Sequence, residues 1–295
     1  MSRFTSPDFL RQAGGKHVRA NPPPTVDLAQ PSIARLRSFH LKGKDHFESD
    51  RELATRADDA APGFQEIVLG ERAFLQRAVR FLVEEAGIRQ FLQFGSGLPT
   101  PGDPHEIALA SEPDVRVVYA TDDPMVLTHL RALICDGRTV TAVRGGLTEP
   151  GQVLRDDETR RFLDLDQPVG LLVAGVVPHV SDDEDPAGHI ATLRSAFAPG
   201  SHVVLSHYCR PDPGQYSKDA MRATRLEQVF VEHLGSGWWR GRRAVESLLD
   251  GWKILSPGIL EVQRWRTLPV APPIPGTYQM PRRNRRLILG GVGRI

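Results

Sequence analysis

The sequence predicts an α/β protein built around a mostly parallel β-sheet. From residue 90 onward, short apolar runs alternate with segments whose apolar residues have the spacing of helices. Several of these runs stop at glycine or aspartate, the residue types that favour a turn or a helix cap. Strands that alternate with helices form right-handed βαβ units, which place their strands in parallel. We therefore expect a sheet with helices on both faces.

The composition is that of an ordinary globular protein. The chain has 295 residues, of which 40% are hydrophobic and 25% are charged, and its formal net charge is +1. This charge balance gives no reason to expect nucleic acid or a membrane as a partner. The two cysteines, Cys135 and Cys209, and a polar start without an apolar signal segment favour a cytoplasmic location. A monomer and a homodimer both stay open.

The residues before the first strand are expected to form an arm and then helices. Residues 1–30 contain Pro22-Pro23-Pro24 and many charges, which is typical of an extended arm. Apolar spacing predicts helices from Ile33 to Leu41, capped by Ser32, and then over residues 47–57 and 64–87. We expect residues 1–62 to be an arm and helical lid and residues 63–295 to be the α/β domain. Residues 267–286 form a connector rich in proline and arginine.

The predicted strands and helices follow one another in a regular order. The parallel strands are expected at 91–95, 115–120, 140–143, 169–175 and 201–208, and the helices between them at 105–111, 124–136, 149–163 and 186–197. Two more helices are expected at 218–234 and 242–249, a strand pair within 252–265 and a closing strand at 287–292. The run at 169–175 is the most apolar, so we place it in the centre of the sheet.

The stretch Arg89–Thr100 is the first candidate for a binding site. Its apolar run ends in Gly95-Ser96-Gly97, and Pro99 follows. Glycines at the carboxyl end of a parallel strand let the backbone turn sharply and approach a ligand. We interpret this turn as the floor of a nucleoside-type cofactor site, although the same pattern also occurs in purely structural turns. A third glycine, expected for dinucleotide binding, is replaced by Thr100, so the cofactor is expected to lack phosphates.

Asp122 and Asp123 follow the second predicted strand. A carboxylate at this position can accept two hydrogen bonds from a ribose diol. The alternative is that one of them caps the helix that begins at Pro124. Both roles stay open, and we expect at least one of the two residues to be a cap.

Three residues are candidates for a general base. His179 comes just after the fourth parallel strand, and His207 and Tyr208 end the fifth. Carboxyl ends of parallel strands face one crevice, so any of them can assist catalysis near neutral pH. Each can equally be a structural residue, with the histidines hydrogen-bonded in the interior and the tyrosine forming a wall.

Two charged clusters have ordinary explanations. The acidic run Ser181–Asp185 precedes Pro186 and is best explained as a solvated helix start, because no well-spaced histidine or cysteine accompanies it as a metal ligand. No metal site is therefore expected. The basic cluster Arg282–Arg286 is better explained as a solvated connector than as a phosphate or nucleic-acid contact.

Several motifs occur together over most of the chain. They are Pro31-Ser32-Ile33-Ala34-Arg35, Gly43-Lys44-Asp45, the run from Arg72 to Leu82, Gly95-Ser96-Gly97-Leu98-Pro99-Thr100, Val117-Val118-Tyr119, Asp123-Pro124, Asp182–Pro186, Leu205-Ser206-His207, Pro257-Gly258 and Arg264-Trp265. On these motifs, which extend from about residue 22 to Gly290–Arg294, the chain resembles a bacterial family of S-adenosylmethionine-dependent methyltransferases, the DUF574 group.

The resemblance implies a fold, a cofactor and a set of contacts. The implied fold is the class I methyltransferase-like (Rossmann-like) sheet of seven strands, the last of them antiparallel, with helices on both faces and an N-terminal helical lid. The implied cofactor is S-adenosylmethionine, and the implied substrate is a small molecule. The residues implied to contact the cofactor are Gly95, Ser96, Gly97, Thr100, Asp122, Asp123, Gly145, Gly175 and Lys44.

The chain departs from the family at the cofactor positions. Gln93 and Thr121 stand where the family has acidic residues, and Gly145-Gly146 stand where another is expected after the third strand. Arg37-Ser38 replace a Tyr-Asp pair, and a common histidine is shifted by one position to His179. Each lost carboxylate removes hydrogen bonds worth about 1.5–3 kcal/mol, so weaker cofactor binding is predicted.

Two hypotheses about function follow. The first is an S-adenosylmethionine-dependent methyltransferase that acts on a small molecule, with a residue such as His179 or His207 as the base. The alternative is a methyltransferase-like protein that has lost methyl transfer and serves as a binding or regulatory module, or that catalyses another reaction in the same crevice.

Overall fold

The computed structural model describes residues 27–267 and 282–295. Most of the predicted arm and the proline-rich segment at 269–275 lie outside the described residues, as do the side chains of Arg282 and Arg283. The division into a lid and an α/β domain stays a prediction. Across the described ranges, every helix is too short or too polar to cross a bilayer.

The centre of the molecule is a mixed sheet. Its strands are β1 (Gln90–Phe94), β2 (Arg116–Thr121), β3 (Val140–Arg144), β4 (Gly170–Ala174), β5 (His202–Tyr208), β6 (Lys253–Ile254), β7 (Leu260–Glu261) and β8 (Ile288–Arg294). They are ordered β3-β2-β1-β4-β5-β8-β6, and β7 also pairs with β8. Strands β1 to β5 are parallel, whereas β8 runs antiparallel to β5, β6 and β7. This confirms the predicted fold class.

Helices cover both faces of the sheet. They are α1 (Ile33–His40), α2 (Glu48–Ala60), α3 (Phe64–Glu84), α4 (Pro104–Ser111), α5 (Pro124–Leu133), α6 (Pro150–Arg155), α7 (Asp157–Phe162), α8 (Pro186–Ala196), α9 (Pro213–Leu234) and α10 (Arg242–Ser247). Short 3-10 helices occur at Val177–His179, Asp182–Glu184, Val262–Arg264 and Arg282–Leu287.

The strands are buried on both sides, which explains their nearly continuous apolar sequence. Successive side chains point to opposite faces, so Phe91 belongs to a core with α1 to α5, while its neighbour Leu92 belongs to a second core with α6 to α8. Within the first core, α3 buries one face along its whole length, from Phe64 through Phe74 to Leu82. The sheet therefore separates two hydrophobic cores. Its parallel pairing also brings the carboxyl ends of β1 to β5 to the same edge of the sheet.

Caps determine where several helices begin. The Ser32 hydroxyl accepts from the Ala34 amide, and Asp123 accepts from the amides of Met125 and Val126. Asp185 accepts from the Gly188 amide at the start of α8, as expected for the end of the acidic run.

Two predictions about the elements need correction. The resemblance implied seven strands, whereas the sheet of the described residues has eight: the strand pair predicted within 252–265 is present as two short strands, and these pair with β8 and not with each other. The helical region predicted at 149–163 is two helices, since Asp156 ends α6 and its carboxylate caps α7 through the amides of Glu158 and Thr159.

Candidate functional site

A cavity lies at the carboxyl ends of the parallel strands, where ligands bind in open α/β sheets. We call it the crevice cavity, and its volume is about 250 Å³. Its floor is formed by the turns after β1, β2, β3 and β4, and α1 covers it with Ile33, Ala34 and Arg37. The predicted site residues that line it are Gly95, Ser96, Gly97, Asp122, Asp123, Gly175 and His179.

The glycine turn after β1 has the shape that a close ligand approach requires. Gly95 has a φ of +67°, and a Cβ on it would come within 2.5 Å of the Val176 Cβ. A Cβ on Gly97 would meet its nearest neighbour, the Ala34 carbonyl oxygen, only at 4.0 Å. The turn is therefore tight against the protein at Gly95 and open toward α1 at Gly97.

Asp123 is the helix cap expected of one of these two aspartates, whereas Asp122 is not a cap. Asp123 caps α5, and its second carboxylate oxygen lies 3.5 Å from the Ser32 hydroxyl. Asp122 is exposed to the crevice cavity, with one carboxylate oxygen beside Gly146, and its carboxylate has no hydrogen-bond or ion-pair partner within the described part of the chain. Thr121 is buried and accepts from the Asp123 amide. Asp122 is thus the carboxylate that is free for a ligand at the end of β2.

A smaller space of about 30 Å³, here called the side cavity, adjoins the glycine turn. Gln93 and Thr100 line it together with Arg37. Thr100 is held by the Arg72–Asp103 ion pair, whose N···O distance is 2.6 Å: the Thr100 amide donates to Asp103 and the Thr100 hydroxyl accepts from Arg72. Thr100 therefore fixes the turn from behind.

Two other predicted cofactor residues lie away from the crevice cavity. Lys44 is exposed in the segment between α1 and α2 and is not among the residues that line either cavity. Gly145 lies under the turn after β3, where a Cβ would come within 2.5 Å of Val153. Its neighbour Gly146 supplies the cavity wall at this position.

His179 is the predicted base that the structure places in the cavity wall. Its Nδ1 is 2.8 Å from the Ser236 hydroxyl, and its Nε2 is buried without a hydrogen-bond partner among the described residues. Burial, followed by the nearby Arg37 charge, lowers the pKa of His179 to about 4. The ring is therefore neutral at pH 7, and Nε2 can accept a proton in the tautomer in which Nδ1 donates to Ser236.

His207 lies on the face of β5 opposite to Ser206 and Tyr208 and is not among the residues that line the cavity. Its Nδ1 is 2.6 Å from the Tyr208 carbonyl oxygen, and its Nε2 is 2.9 Å from a guanidinium nitrogen of Arg240. A carbonyl only accepts and a guanidinium only donates, so both ring nitrogens are in use. Burial lowers the pKa of His207 to about 3. This geometry leaves no ring nitrogen of His207 for a substrate proton.

Tyr208 is buried in the core and, like His207, is not among the residues that line either cavity. Its ring stacks on Trp239 with a centroid distance of 4.7 Å, and its hydroxyl is buried without a hydrogen-bond partner among the described residues. Burial, and next the Glu71 charge, raises the pKa of Tyr208 well above its ordinary value. The phenol is therefore protonated at neutral pH.

The sequence did not reveal a buried cluster of Arg37, Glu71 and Ser206 beside the cavity. A guanidinium nitrogen of Arg37 lies 2.6 Å from a Glu71 carboxylate oxygen, and the Ser206 hydroxyl donates to the other Glu71 oxygen. Gly175 makes room for the pair, since a Cβ there would come within 2.3 Å of Arg37 and 2.8 Å of Glu71. One signal was present: Glu71 lies four residues after Ile67 and four before Leu75, on the apolar face of its helix.

The polar atoms around the crevice cavity fit an adenosine-type ligand with an amino-acid end. Asp122 offers a free carboxylate at the end of β2, where such a ribose is bound. The Gln93 side-chain oxygen and the Ser96 hydroxyl are buried without hydrogen-bond partners among the described residues. Ser96 lines both cavities and Gln93 lines the side cavity, so these two atoms are available to a polar group of a ligand near the glycine turn.

Comparisons with known proteins agree with this architecture. The family model described as "S-adenosyl methyltransferase" matches residues 19–295. A crystal structure of a candidate methyltransferase from Thermobifida fusca YX is 36% identical, with a TM-score of 0.81, and the match covers 92% of this chain and 98% of that one. A DUF574 family protein from Streptomyces avermitilis is 28% identical, with a TM-score of 0.82 and coverage of 92% and 99%.

No curated protein matches the chain. The family match extends over nearly the whole chain, and both solved structures share the fold over nearly their whole length. The motifs on which the sequence resembled the family lie within the matched residues, and the described turn, cap and strand order agree with the fold they implied. The chain belongs to the S-adenosyl methyltransferase family of the DUF574 group.

Proposed function

We propose that this protein binds S-adenosylmethionine in the crevice cavity and transfers a methyl group to a small molecule. The observation that carries the proposal is the Asp122 carboxylate in the crevice cavity, together with Ser96 Oγ at the glycine turn and Gln93 Oε1 in the adjoining side cavity, all three without a hydrogen-bond partner among the described residues. Family membership supplies the reaction class. The formal net charge of only +1 and the position of the cavity beneath α1 favour a small molecule over a nucleic acid as the acceptor.

Each side chain has a defined part in this proposal. Asp122 accepts hydrogen bonds from the ribose hydroxyls, and Gln93 and Ser96 contact the amino-acid end. When bound, S-adenosylmethionine supplies an electrophilic methyl group on a positively charged sulfur. His179 Nε2 accepts a proton from an acceptor hydroxyl or amine, while its Nδ1 stays oriented by Ser236. Helix α1 covers one side of the cavity and would limit the contact of a bound ligand with water.

Calorimetry with S-adenosylmethionine and S-adenosylhomocysteine tests the proposal. We expect both to bind, and Asp122→Ala to weaken binding at least tenfold, or by about 1.4 kcal/mol, because it removes a charge-assisted contact. Asp114→Ala is a matched control: Asp114 is an exposed carboxylate before the opposite end of β2, where it pairs with Arg138 at 3.6 Å. This control should bind as the wild type does.

Two results would count against the proposal. The absence of any binding at millimolar ligand would refute the cofactor assignment. Equal losses for Asp122→Ala and Asp114→Ala would show a general charge effect and refute the ribose contact. Binding without turnover on any acceptor would instead favour the methyltransferase-like binding module.

A further inference from the structure

Arg37 has donor groups that the protein itself does not use. Its side chain is 15% exposed, and among the described residues its only polar partner is Glu71, at an N···O distance of 2.6 Å. The residue lines both the crevice cavity and the side cavity. A guanidinium carries five N–H donors, and one carboxylate contact cannot satisfy them all. The remaining donors are available to a group in the cavity.

Arg37 is positively charged at neutral pH. Burial by itself lowers the pKa of Arg37, but the Glu71 carboxylate raises it above its ordinary value, so the guanidinium stays protonated. Glu71 also accepts from the Ser206 hydroxyl through its other oxygen. The Arg37–Glu71 pair is neutral as a whole, and what it offers a ligand is the N–H donors of Arg37 that Glu71 does not take up.

The charges around the crevice cavity are separated. The acidic residues Asp122 and Asp123 lie at the end of β2, and Glu184 is bonded to Ser181. Arg37 lies above Gly175 at the end of β4, and it is the one cationic lysine or arginine among the described residues that line this cavity. Arg37 is thus the side chain of this cavity wall that can donate charge-assisted hydrogen bonds to an anion.

We propose that Arg37 binds a carboxylate carried by the methyl acceptor, so that the acceptors of this protein are small carboxylic acids. This inference rests on the proposed function. The planar guanidinium matches a carboxylate in a two-point contact, and the Glu71 pair restricts its rotation before the ligand arrives. Arg37 and His179 line the same cavity, so the acceptor is held beside the group that receives its proton.

A second source of the carboxylate is the amino-acid end of the cofactor. Arg37 lines the crevice cavity together with His179, which favours the acceptor, whereas its place in the side cavity beside Gln93 and Ser96 favours the cofactor. The two sources differ in experiment, because the cofactor brings its carboxylate whether or not an acceptor is present.

The test uses protein saturated with S-adenosylhomocysteine, so binding of that ligand separately tests the proposed function. Acetate, benzoate and 4-hydroxybenzoate are titrated by calorimetry, each beside its uncharged amide. We expect the wild type to bind at least one acid more than tenfold tighter than its amide. Glu71→Gln should keep or strengthen this preference, because it removes a competing carboxylate from Arg37.

The double variant R37M/E71Q removes the guanidinium without leaving a buried unpaired charge, and it should lose the preference for acids. The control is R35M/D50N, which removes the other buried ion pair of α1, whose residues do not line the cavity. This control should lower the melting temperature and keep the preference.

Three outcomes would overturn the proposal. The first is a wild type that prefers no acid over its amide. The second is an R37M/E71Q variant that keeps the wild-type preference. The third comes from methylthioadenosine, which lacks the amino-acid end: if R37M/E71Q loses affinity for S-adenosylhomocysteine but not for methylthioadenosine, the carboxylate bound by Arg37 belongs to the cofactor.

Discussion

Helix α1 forms two buried ion pairs that differ in what surrounds them. Asp50 accepts from Arg35 at 2.8 Å and also from the amides of Phe47 and Ser32, so protein groups take up its carboxylate completely. Arg35 is 4% exposed and also donates to the Gln30 carbonyl. In the second pair, Arg37 has Glu71 as its one polar partner within the described part of the chain and borders a cavity. The same type of ion pair therefore has two roles. The Arg35–Asp50 pair joins α1 to α2, whereas the Arg37–Glu71 pair holds the Arg37 guanidinium at the edge of the cavity.

Breaking the Arg35–Asp50 pair should have the largest effect on stability. Asp50→Ala leaves Arg35 buried without its partner and two backbone amides without an acceptor, which we expect to cost about 3–5 kcal/mol in the free energy of unfolding. Glu71→Ala should cost about 1–3 kcal/mol, because water in the cavity can solvate Arg37. Urea denaturation at pH 7 measures both values. A larger loss for Glu71→Ala than for Asp50→Ala would contradict the distinction between the two pairs.

The second largest expected effect is on the pH dependence of stability, which should differ between the crevice cavity and the surroundings of Asp50. His179 borders the crevice cavity, whereas the residues that contact Asp50 include no histidine. Its pKa is about 4 in the folded protein and about 6.5 in the unfolded chain, so between these pH values the unfolded state binds more protons. The contribution of neutral His179 to the unfolding free energy is therefore fully present above about pH 6.5 and is lost as the pH falls toward 4.

His179→Gln should reduce this loss. Between pH 7 and pH 5 the wild type should lose roughly 2 kcal/mol more of its unfolding free energy than the variant does. His40 and His202, whose pKa values burial also lowers to about 4, contribute equally to both proteins and cancel in the comparison. Urea titrations at pH 7, 6 and 5 give the slopes. Parallel slopes for the two proteins would show that His179 does not titrate as proposed.

The smallest effect on stability is expected on the open side of the glycine turn. Gly97→Ala places a methyl group 4.0 Å from the Ala34 carbonyl oxygen, so the unfolding free energy should change by no more than about 0.5 kcal/mol. The methyl group nevertheless enters the cavity beneath α1 and should weaken S-adenosylhomocysteine binding at least fivefold. Calorimetry and urea denaturation of one preparation test both statements. Unchanged affinity would mean that the ligand does not approach Gly97.

The sequence was informative wherever a residue type and its local spacing decide the structure. The apolar runs predicted β1 to β5, and Asp123-Pro124 predicted a helix cap, because both effects act over a few neighbouring residues. The short strands β6 and β7 were less well defined, since their pairing depends on β8, which follows them in the sequence. Local pattern cannot specify such a partner.

The site was harder to predict for a geometric reason. Glu71 and Ser206 are separated by 135 positions in the sequence and meet only after α3 packs on the sheet. His207 and Tyr208 both end β5, but the alternation of the strand sends them to opposite faces, and the sequence does not say which face borders the cavity. The long-range contacts that decide these roles exist only in the folded chain.

The position of β8 in the sheet affects the order in which the strands can pair during synthesis. Residues 288–294 lie between β5 and β6 in the sheet, although they follow β6 and β7 in the chain. During synthesis, β1 to β5 can pair as they emerge, whereas residues 253–261 have no sheet partner until β8 has left the ribosome. The edge of β5 is equally uncovered during that interval, and an uncovered strand edge is a place where another chain can pair. The outer part of the sheet therefore forms last, after the parallel half and its crevice are already in place.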